Sequence, residues 1–331
     1  MRTVGGDIPP ADLGVTLPHE HLLIRRPEWP RDAILDDPNL AAEELAVFGR
    51  SELHGPAQRT LVELTPHGLR APAHADRLRA IAQRTGVHIV MGTGFHKKPW
   101  HPPELAGWSQ RTIEDRLVGD VLDGVGPERI GAGVIGEIGI SDSPPAISAM
   151  DRDERKVLKA GAGAQRRTGA PLSLHFDNDW RRPCWNGPLR IAVLEYLRSE
   201  EGIDLSRVVV CHCSPIPADL KLHRRMIEMG AYVAFDAWGS DVGCPGIPED
   251  DYRLYASAVK TLVRDEAYLV KVLLSQDVCV PRQLMAYGGC GYAHLIRDVL
   301  PRFLASGVTE RQIQQMTVGN PMAMLPLRGA A

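Results

Sequence analysis

Short apolar and β-branched runs alternate along the chain with longer segments in which apolar residues recur at helical spacing. Eight of the short runs read as strands, at 14–21, 60–65, 87–93, 130–138, 171–176, 207–213, 231–236 and 270–277. Helix-like stretches lie between them, among them 73–84, 152–168, 188–200 and 216–229. Gly86, Gly169, Gly202 and Gly230 follow the last turns of these helices, where a left-handed cap residue is expected. Alternation of this kind predicts an α/β fold, a (β/α)8 TIM barrel. An open doubly wound sheet is the competing architecture, and it favours a glycine-rich phosphate loop after its first strand. Here that strand ends in Pro18-His19-Glu20-His21, which favours the barrel. The segment 281–331 has room for a loop, a closing helix and extra C-terminal helices.

Composition narrows the class without changing the fold. A chain of 331 residues has room for two domains of ~150 residues, or for one barrel of ~250 residues with long loops. No linker or shift in composition divides it, so residues 1–331 are expected to form a single barrel domain. The apolar fraction of 44% and charged fraction of 24% exclude a disordered chain, a coiled coil and a collagen-like repeat. A net charge of −3 gives no electrostatic case for nucleic acid. No apolar run approaches the ~18 residues of a membrane span, and the first residues lack the apolar core of a signal peptide. Six cysteines are too sparse for a disulfide scaffold, so a reduced, cytoplasmic protein with a small-molecule partner is expected.

In a barrel of this type the chemistry sits at the C-terminal ends of the strands. The first strand ends in His19 and His21, two apart and so on one side of an extended chain. The fourth gives Glu137, with Ile135 and Gly133 expected on its face, and the fifth gives His175. The sixth gives His212, with Val210 and Val208 expected below it, and the eighth gives Asp277. Imidazole and carboxylate suit Zn, Mn, Co or Fe(II). Six such residues exceed one tetrahedral shell, so two divalent metal ions bridged by a carboxylate and a hydroxide fit better. Cys211 and Cys213 flank His212, and strict alternation turns both outward as small packed hydrophobes. Cys290 reads as a free surface thiol, and Gly288-Gly289-Cys290-Gly291 as a mobile loop or a plain turn.

The chain resembles the phosphotriesterase-related branch of the amidohydrolase superfamily, of the type whose bridging ligand is a glutamate. The resemblance rests on Arg2 to Pro9, Leu13 to His21, Leu64-Thr65-Pro66 with Gly68, Gly92-Thr93-Gly94-Phe95, and Gly136-Glu137-Ile138-Gly139. Gly230-Ala231-Tyr232 with Phe235-Asp236, Gly288 to Tyr292 and Asn320-Pro321 extend it over nearly the whole chain. It implies that His19, His21 and Asp277 hold the more buried metal and His175 and His212 the more exposed one. Glu137 would bridge them, where many relatives carry a carboxylated lysine. Relatives are often dimers, which points to a homodimer. Two departures stand out. Cys213-Ser214 replaces the x-Asp that usually follows the sixth-strand histidine, and His96-Lys97-Lys98 stands where many relatives place a tyrosine.

The chemistry expected is metal-assisted hydrolysis by a metal-bridged hydroxide, with Asp277 as proton shuttle to the leaving group. Arg25-Arg26, Lys97-Lys98 and Arg181-Arg182 place paired cations in three loops and favour an anionic substrate. Trp100, Trp180, Trp185 and Trp238 fall in the same loops, as apolar walls or as loop packing. His96, Lys97, Arg181 and Trp238 are the substrate-contact candidates. The family implies a small lactone, carboxylic ester or N-acyl amide, with a phosphotriester as the alternative. A non-catalytic ligand-binding barrel would show a damaged ligand set, and a mononuclear deaminase-like relative would not need Glu137.

Overall fold

The computed structural model describes residues 1–25, 30, 34–51, 58–177, 187–214, 220–238 and 249–327. Eight strands follow in chain order: β1 Val15–Glu20, β2 Arg59–Glu63, β3 His88–Thr93, β4 Val134–Ile140, β5 Leu172–Phe176, β6 Val208–Val210, β7 Tyr232–Phe235 and β8 Val272–Leu274. Each pairs in parallel with the next, in the order of the chain. Helices alternate with them: α1 Pro38–Arg50, α2 His74–Thr85, α3 Gln110–Leu122, α4 Arg152–Thr168, α5 Gly187–Ser199, α6 Leu220–Glu228 and α7 Glu249–Leu262. This is the (β/α)8 barrel that the alternation predicts. Short helical segments between Leu295 and Met324 close the C-terminal end. Among the described residues no helix is long and apolar enough to cross a membrane.

Strand alternation divides the apolar residues into two layers. Val62, Val90, Val134, Val209, Ala234 and Leu273 face inward and meet Leu13, Met324 and Leu325 at the base of the barrel. Leu61, Ile89, Ile135, Leu174, Val210 and Val233 face outward and pack under the helices, against residues such as Leu78, Leu117 and Leu158. A short hairpin, Arg2–Thr3 against Gly6–Asp7, also lies at the base, anchored by the Val4 N–H on the Ile89 carbonyl at 2.8 Å. It is too short for a hydrophobic pattern to reveal.

The seam between β8 and β1 closes through a side chain. Glu20 is fully buried and accepts hydrogen bonds from the Ser275 hydroxyl and from the backbone N–H groups of Gln276 and Val278, each at 2.8 Å. Ser275 also receives the His19 N–H, and the Asp277 N–H reaches the His19 carbonyl at 3.2 Å. Burial outweighs these donors and pushes the Glu20 carboxyl up to about 7. Glu20→Ala leaves the buried N–H groups of Gln276 and Val278 without an acceptor, at ~1–3 kcal/mol each, while the Ser275 hydroxyl can turn to the His19 carbonyl at 3.0 Å. Calorimetry should show a loss of at least ~2 kcal/mol, with Glu20→Gln intermediate because one oxygen remains.

Candidate metal centre

Two of the strand ladders stop just before the residues that matter. Predicted runs reached 213 and 277, but β6 ends at Val210 and β8 at Leu274. His212 (φ 57°) and Asp277 (φ 52°) adopt left-handed backbone, which a strand cannot continue. Such a conformation costs a non-glycine residue of order 1 kcal/mol or more and persists only where its surroundings hold it. At His212 the hold is visible. Its N–H donates to the Asp236 carboxylate at 3.0 Å, and the buried Arg190 guanidinium donates to the carbonyls of Cys211 and His212 at 2.7 and 3.1 Å.

These breaks correct the expected faces. Val208 and Val210 pack outward, and Val209 and Cys211 face the interior. His212 comes inward because the left-handed turn shifts the alternation by one. Cys211 therefore lies inside the barrel, its thiol 3.1 Å from the Ser173 hydroxyl, and burial raises its pKa so that it stays protonated. Cys213 does face outward, as expected. On β4, Ile135 is outward, not beside Glu137; the register shifts between Ile135 and Ile138, and Glu137 turns in. A shift between Leu17 and Glu20 does the same for His19 and His21 on β1.

The structure brings His19, His21, Glu137, His175, His212 and Asp277 to one mouth. Glu137 Oε1 lies 3.1 Å from His19 Nε2 and 2.9 Å from His175 Nδ1, and its Oε2 lies 3.8 Å from His21 Nε2. Asp277 Oδ1 is 3.3 Å from His21 Nε2, and His175 Nδ1 is 2.7 Å from His212 Nε2. Two triads whose ligand atoms lie within 4.8 Å are His19–His21–Asp277 and His19–Glu137–His212. A third, His96–Glu137–His175, brings in a residue read from sequence as a substrate contact.

Partners behind the imidazoles set which nitrogen faces the centre. Asp236 accepts from His19 Nδ1 at 2.8 Å and lies 3.3 Å from His212 Nδ1. Thr65 donates its hydroxyl to Glu63, so its oxygen accepts from His21 Nδ1 at 3.0 Å. Glu63 in turn meets His74 at 2.9 Å. His19, His21 and His212 thus present the Nε2 lone pair inward, while His175 presents Nδ1. Sequence reasoning missed Asp236, Thr65 and Glu63 in this role. Asp236 was legible only as part of a family motif, at the end of a strand to which no chemistry had been assigned.

Buried negative charge dominates the electrostatics. Burial alone would raise the carboxyls of Glu137, Asp236 and Asp277. Imidazoles outweigh it: His175 and His19 at Glu137, His212 and His19 at Asp236, and His21 at Asp277 hold all three below the usual carboxylate range. Burial would lower His19 and His21, but Cys211 and Asp236 at His19 and Asp277 at His21 outweigh it and raise both, so protons on these imidazoles balance the carboxylates where no cation is bound, and a divalent cation would displace them. His19 Nε2, moreover, is buried 3.1 Å from Glu137 Oε1 without a well-aligned hydrogen bond to it. Nitrogen and oxygen donors of this kind fit a divalent transition metal.

Among the described residues, the expected rim cations are paired with carboxylates. Lys97 pairs with Asp177, Lys98 with Asp151 at 2.7 Å, and Arg25 stands 3.9 Å from Asp36. Arg26, Arg181, Arg182, Trp180 and Trp185 lie outside the described residues. Trp238 is only 1% exposed and packs edge-on against Tyr255 and Phe303, as loop packing rather than an open wall. The glycine run is a hydrogen-bonded turn: Gly291 N–H meets the Gln283 carbonyl at 2.8 Å, and a Cβ on Gly289 would fall 2.2 Å from Gln283 backbone. Cys290 is disulfide-bonded, not the free thiol expected, because spacing along a chain does not say which cysteines meet.

A barrel whose mouth gathers imidazoles and ionised carboxylates belongs to the class of metal-dependent hydrolases. Residues 1–325 match the model of the phosphotriesterase family, and the chain belongs to that family. It is 30% identical to mouse N-acetyltaurine hydrolase, over 99% of this chain and 98% of that protein. Among solved structures it is similar to a resiniferatoxin-binding protein from Rhodobacter sphaeroides, with TM-score 0.85, 31% identity, and coverage of 99% of this chain and 96% of that one. It is also similar to an organophosphorus hydrolase from Deinococcus radiodurans, with TM-score 0.78, 28% identity, and coverage of 98% and 96%. The chain is a hydrolase, and its family is metal-dependent.

Two predictions follow from the partners behind the ligands. Asp236→Asn should weaken metal affinity about 10- to 100-fold, read by chelator competition, while the fold is retained. For Glu63, burial raises the carboxyl but His74 outweighs it and holds it at about 2. Its stabilising contribution is therefore present above the ordinary carboxylate pKa and lost as pH falls through that value towards 2. Thermal melts between pH 6 and 3 should show wild type losing more stability than Glu63→Gln.

Proposed function

We propose that the protein is a binuclear hydrolase of a small, anionic N-acyl amide, with lactones and carboxylic esters as related substrates. The observation that carries this is the convergence of four imidazoles and two ionised carboxylates on one mouth, with Glu137 placed between the rest. His19, His21 and Asp277 would hold one divalent cation and His175 and His212 the other, with the Glu137 carboxylate shared. Zinc suits this donor set, and Mn, Co or Fe would also be accepted. Bound there, the cations would supply Lewis acidity and a hydroxide at neutral pH.

The chain's own residues do the rest. Glu137 has a side chain only 3% exposed, so it serves as a ligand and not as an acid or base toward substrate. Asp277 is 21% exposed, with Oδ1 towards His21 and Oδ2 facing His212 at 4.0 Å. It can take a proton from attacking water and deliver it to the leaving amine or alcohol. Lys97 stands at the rim on its Asp177 partner and would meet a carboxylate or sulfonate on the substrate. Similarity to N-acetyltaurine hydrolase over nearly the full length of both chains supports an amide of an anionic amine. The similarity to an organophosphorus hydrolase supports phosphotriesters as the second reading.

The test is metal content by elemental analysis for wild type and Glu137→Ala, with turnover of N-acetyltaurine, a lactone, an ester and a phosphotriester. About two metals per chain, reduced in the variant along with turnover, is expected, with the amide or lactone preferred. One metal or none in folded wild type, without hydrolysis, overturns the reading.

A further inference from the structure

His96 differs from the other imidazoles at the mouth in polarity. It follows β3, is 5% exposed, and its Nδ1 accepts the backbone N–H of Lys97 at 2.8 Å. That N–H needs a lone pair on Nδ1, so the ring hydrogen sits on Nε2. Nε2 is the atom that faces the centre, 3.9 Å from Glu137 Oε2, and the ring lies 4.2 Å from that of His175. His19, His21 and His212 turn their N–H outward and a lone pair inward; His96 turns an N–H inward. A metal ion binds a lone pair, and an N–H binds a developing negative charge.

The backbone holds this arrangement firmly. Gly139 N–H donates to the Phe95 carbonyl at 3.0 Å, and His101 Nε2 meets the His96 carbonyl. A Cβ at Gly139 would fall 2.0 Å from the Lys97 nitrogen and 2.7 Å from His96 Cα, so only glycine lets β4 approach this loop. Lys97 is tethered in turn to Asp177 beyond β5. The His96 ring is thus clamped by the strands that carry Glu137 and His175.

We infer that His96 is not a metal ligand but a catalytic hydrogen-bond donor, whose Nε2–H binds the substrate's carbonyl oxygen at the mouth. This rests on the hydrolase reading above and adds a residue to it. As water oxygen bonds to the carbonyl carbon, the C=O π pair moves onto oxygen and the His96 hydrogen bond strengthens. When the pair returns, the C–N or C–O bond breaks and the leaving group takes the proton. His96 keeps its own hydrogen throughout. The donor acts where charge develops, so its effect belongs to kcat more than to KM.

The experiment compares wild type, His96→Phe and His96→Gln, each loaded with zinc. His96→Phe keeps a ring without the donor, and His96→Gln returns an N–H at similar reach. Expected are unchanged metal content in both variants and a kcat about 100- to 1000-fold lower for His96→Phe with little change in KM. His96→Gln should recover part of the rate, and a phosphonate mimic of the tetrahedral state should lose affinity in parallel with kcat. Nitrogen-15 spectra, assigned by the signal missing in His96→Phe, should place the His96 proton on Nε2 with and without zinc. Loss of metal in His96→Phe, or an Nε2 signal that becomes zinc-bound, overturns the donor role in favour of a ligand. Unchanged kcat in His96→Phe overturns it too. Should wild type hydrolyse nothing, the hydrolase reading fails, and the nitrogen spectra and metal content still decide between donor and ligand.

Discussion

Asp236 carries the constraint on which the site depends. Its carboxylate is fully buried at the end of β7 and receives His19 from β1 together with the ring and backbone N–H of His212 beyond β6. One anion thereby fixes two imidazoles, leaves both Nε2 atoms facing inward and stabilises a left-handed backbone at His212. Cys213-Ser214 follows His212 where relatives usually have x-Asp, and Asp236 of the shared motif stands behind His212 from the neighbouring strand.

The same economy runs through the rest of the mouth. Carboxylates that never face substrate do structural work at the ends of strands: Glu20 closes the barrel seam, and Glu63 orients His21 through Thr65. Glu137 and Asp277 face the centre, and imidazoles keep them ionised despite burial. Such a set is poorly stable alone, since like charges crowd a water-poor space. Divalent cations held by these residues would relieve that repulsion, which would tie metal affinity to the geometry of the fold.

Polarity also separates ligands from other histidines. His19, His21 and His212 each have an acceptor behind them, whereas His96 has a donor. A sequence that contains many histidines says nothing about this distinction, because it is set by a single backbone N–H of the next residue. The rim follows a similar logic. Among the described residues, cations that look free in sequence, Lys97, Lys98 and Arg25, meet carboxylates brought from other segments.

Hydrophobic alternation determined the eight strands and the helices between them, because burying one face of every element admits few other layouts, and Pro18-His19-Glu20-His21 in place of a glycine-rich loop favoured the barrel over an open sheet. Ligand-type residues at strand ends were legible for the same reason: barrel chemistry collects at one end, and His-x-His, Glu137, His175, His212 and Asp277 all fall there. Tertiary structure alone decided how they face. Period-two alternation fails at the register shifts in β1 and β4 and at the left-handed His212, so Ile135, Val208, Val210 and Cys211 lie on faces opposite to those the pattern implies. The acceptors behind the ligands, the seam at Glu20 and the inward N–H of His96 were likewise decided by contacts across strands. Hydrophobic pattern reports burial, which is a local average. Hydrogen-bond direction depends on which groups meet from distant parts of the chain.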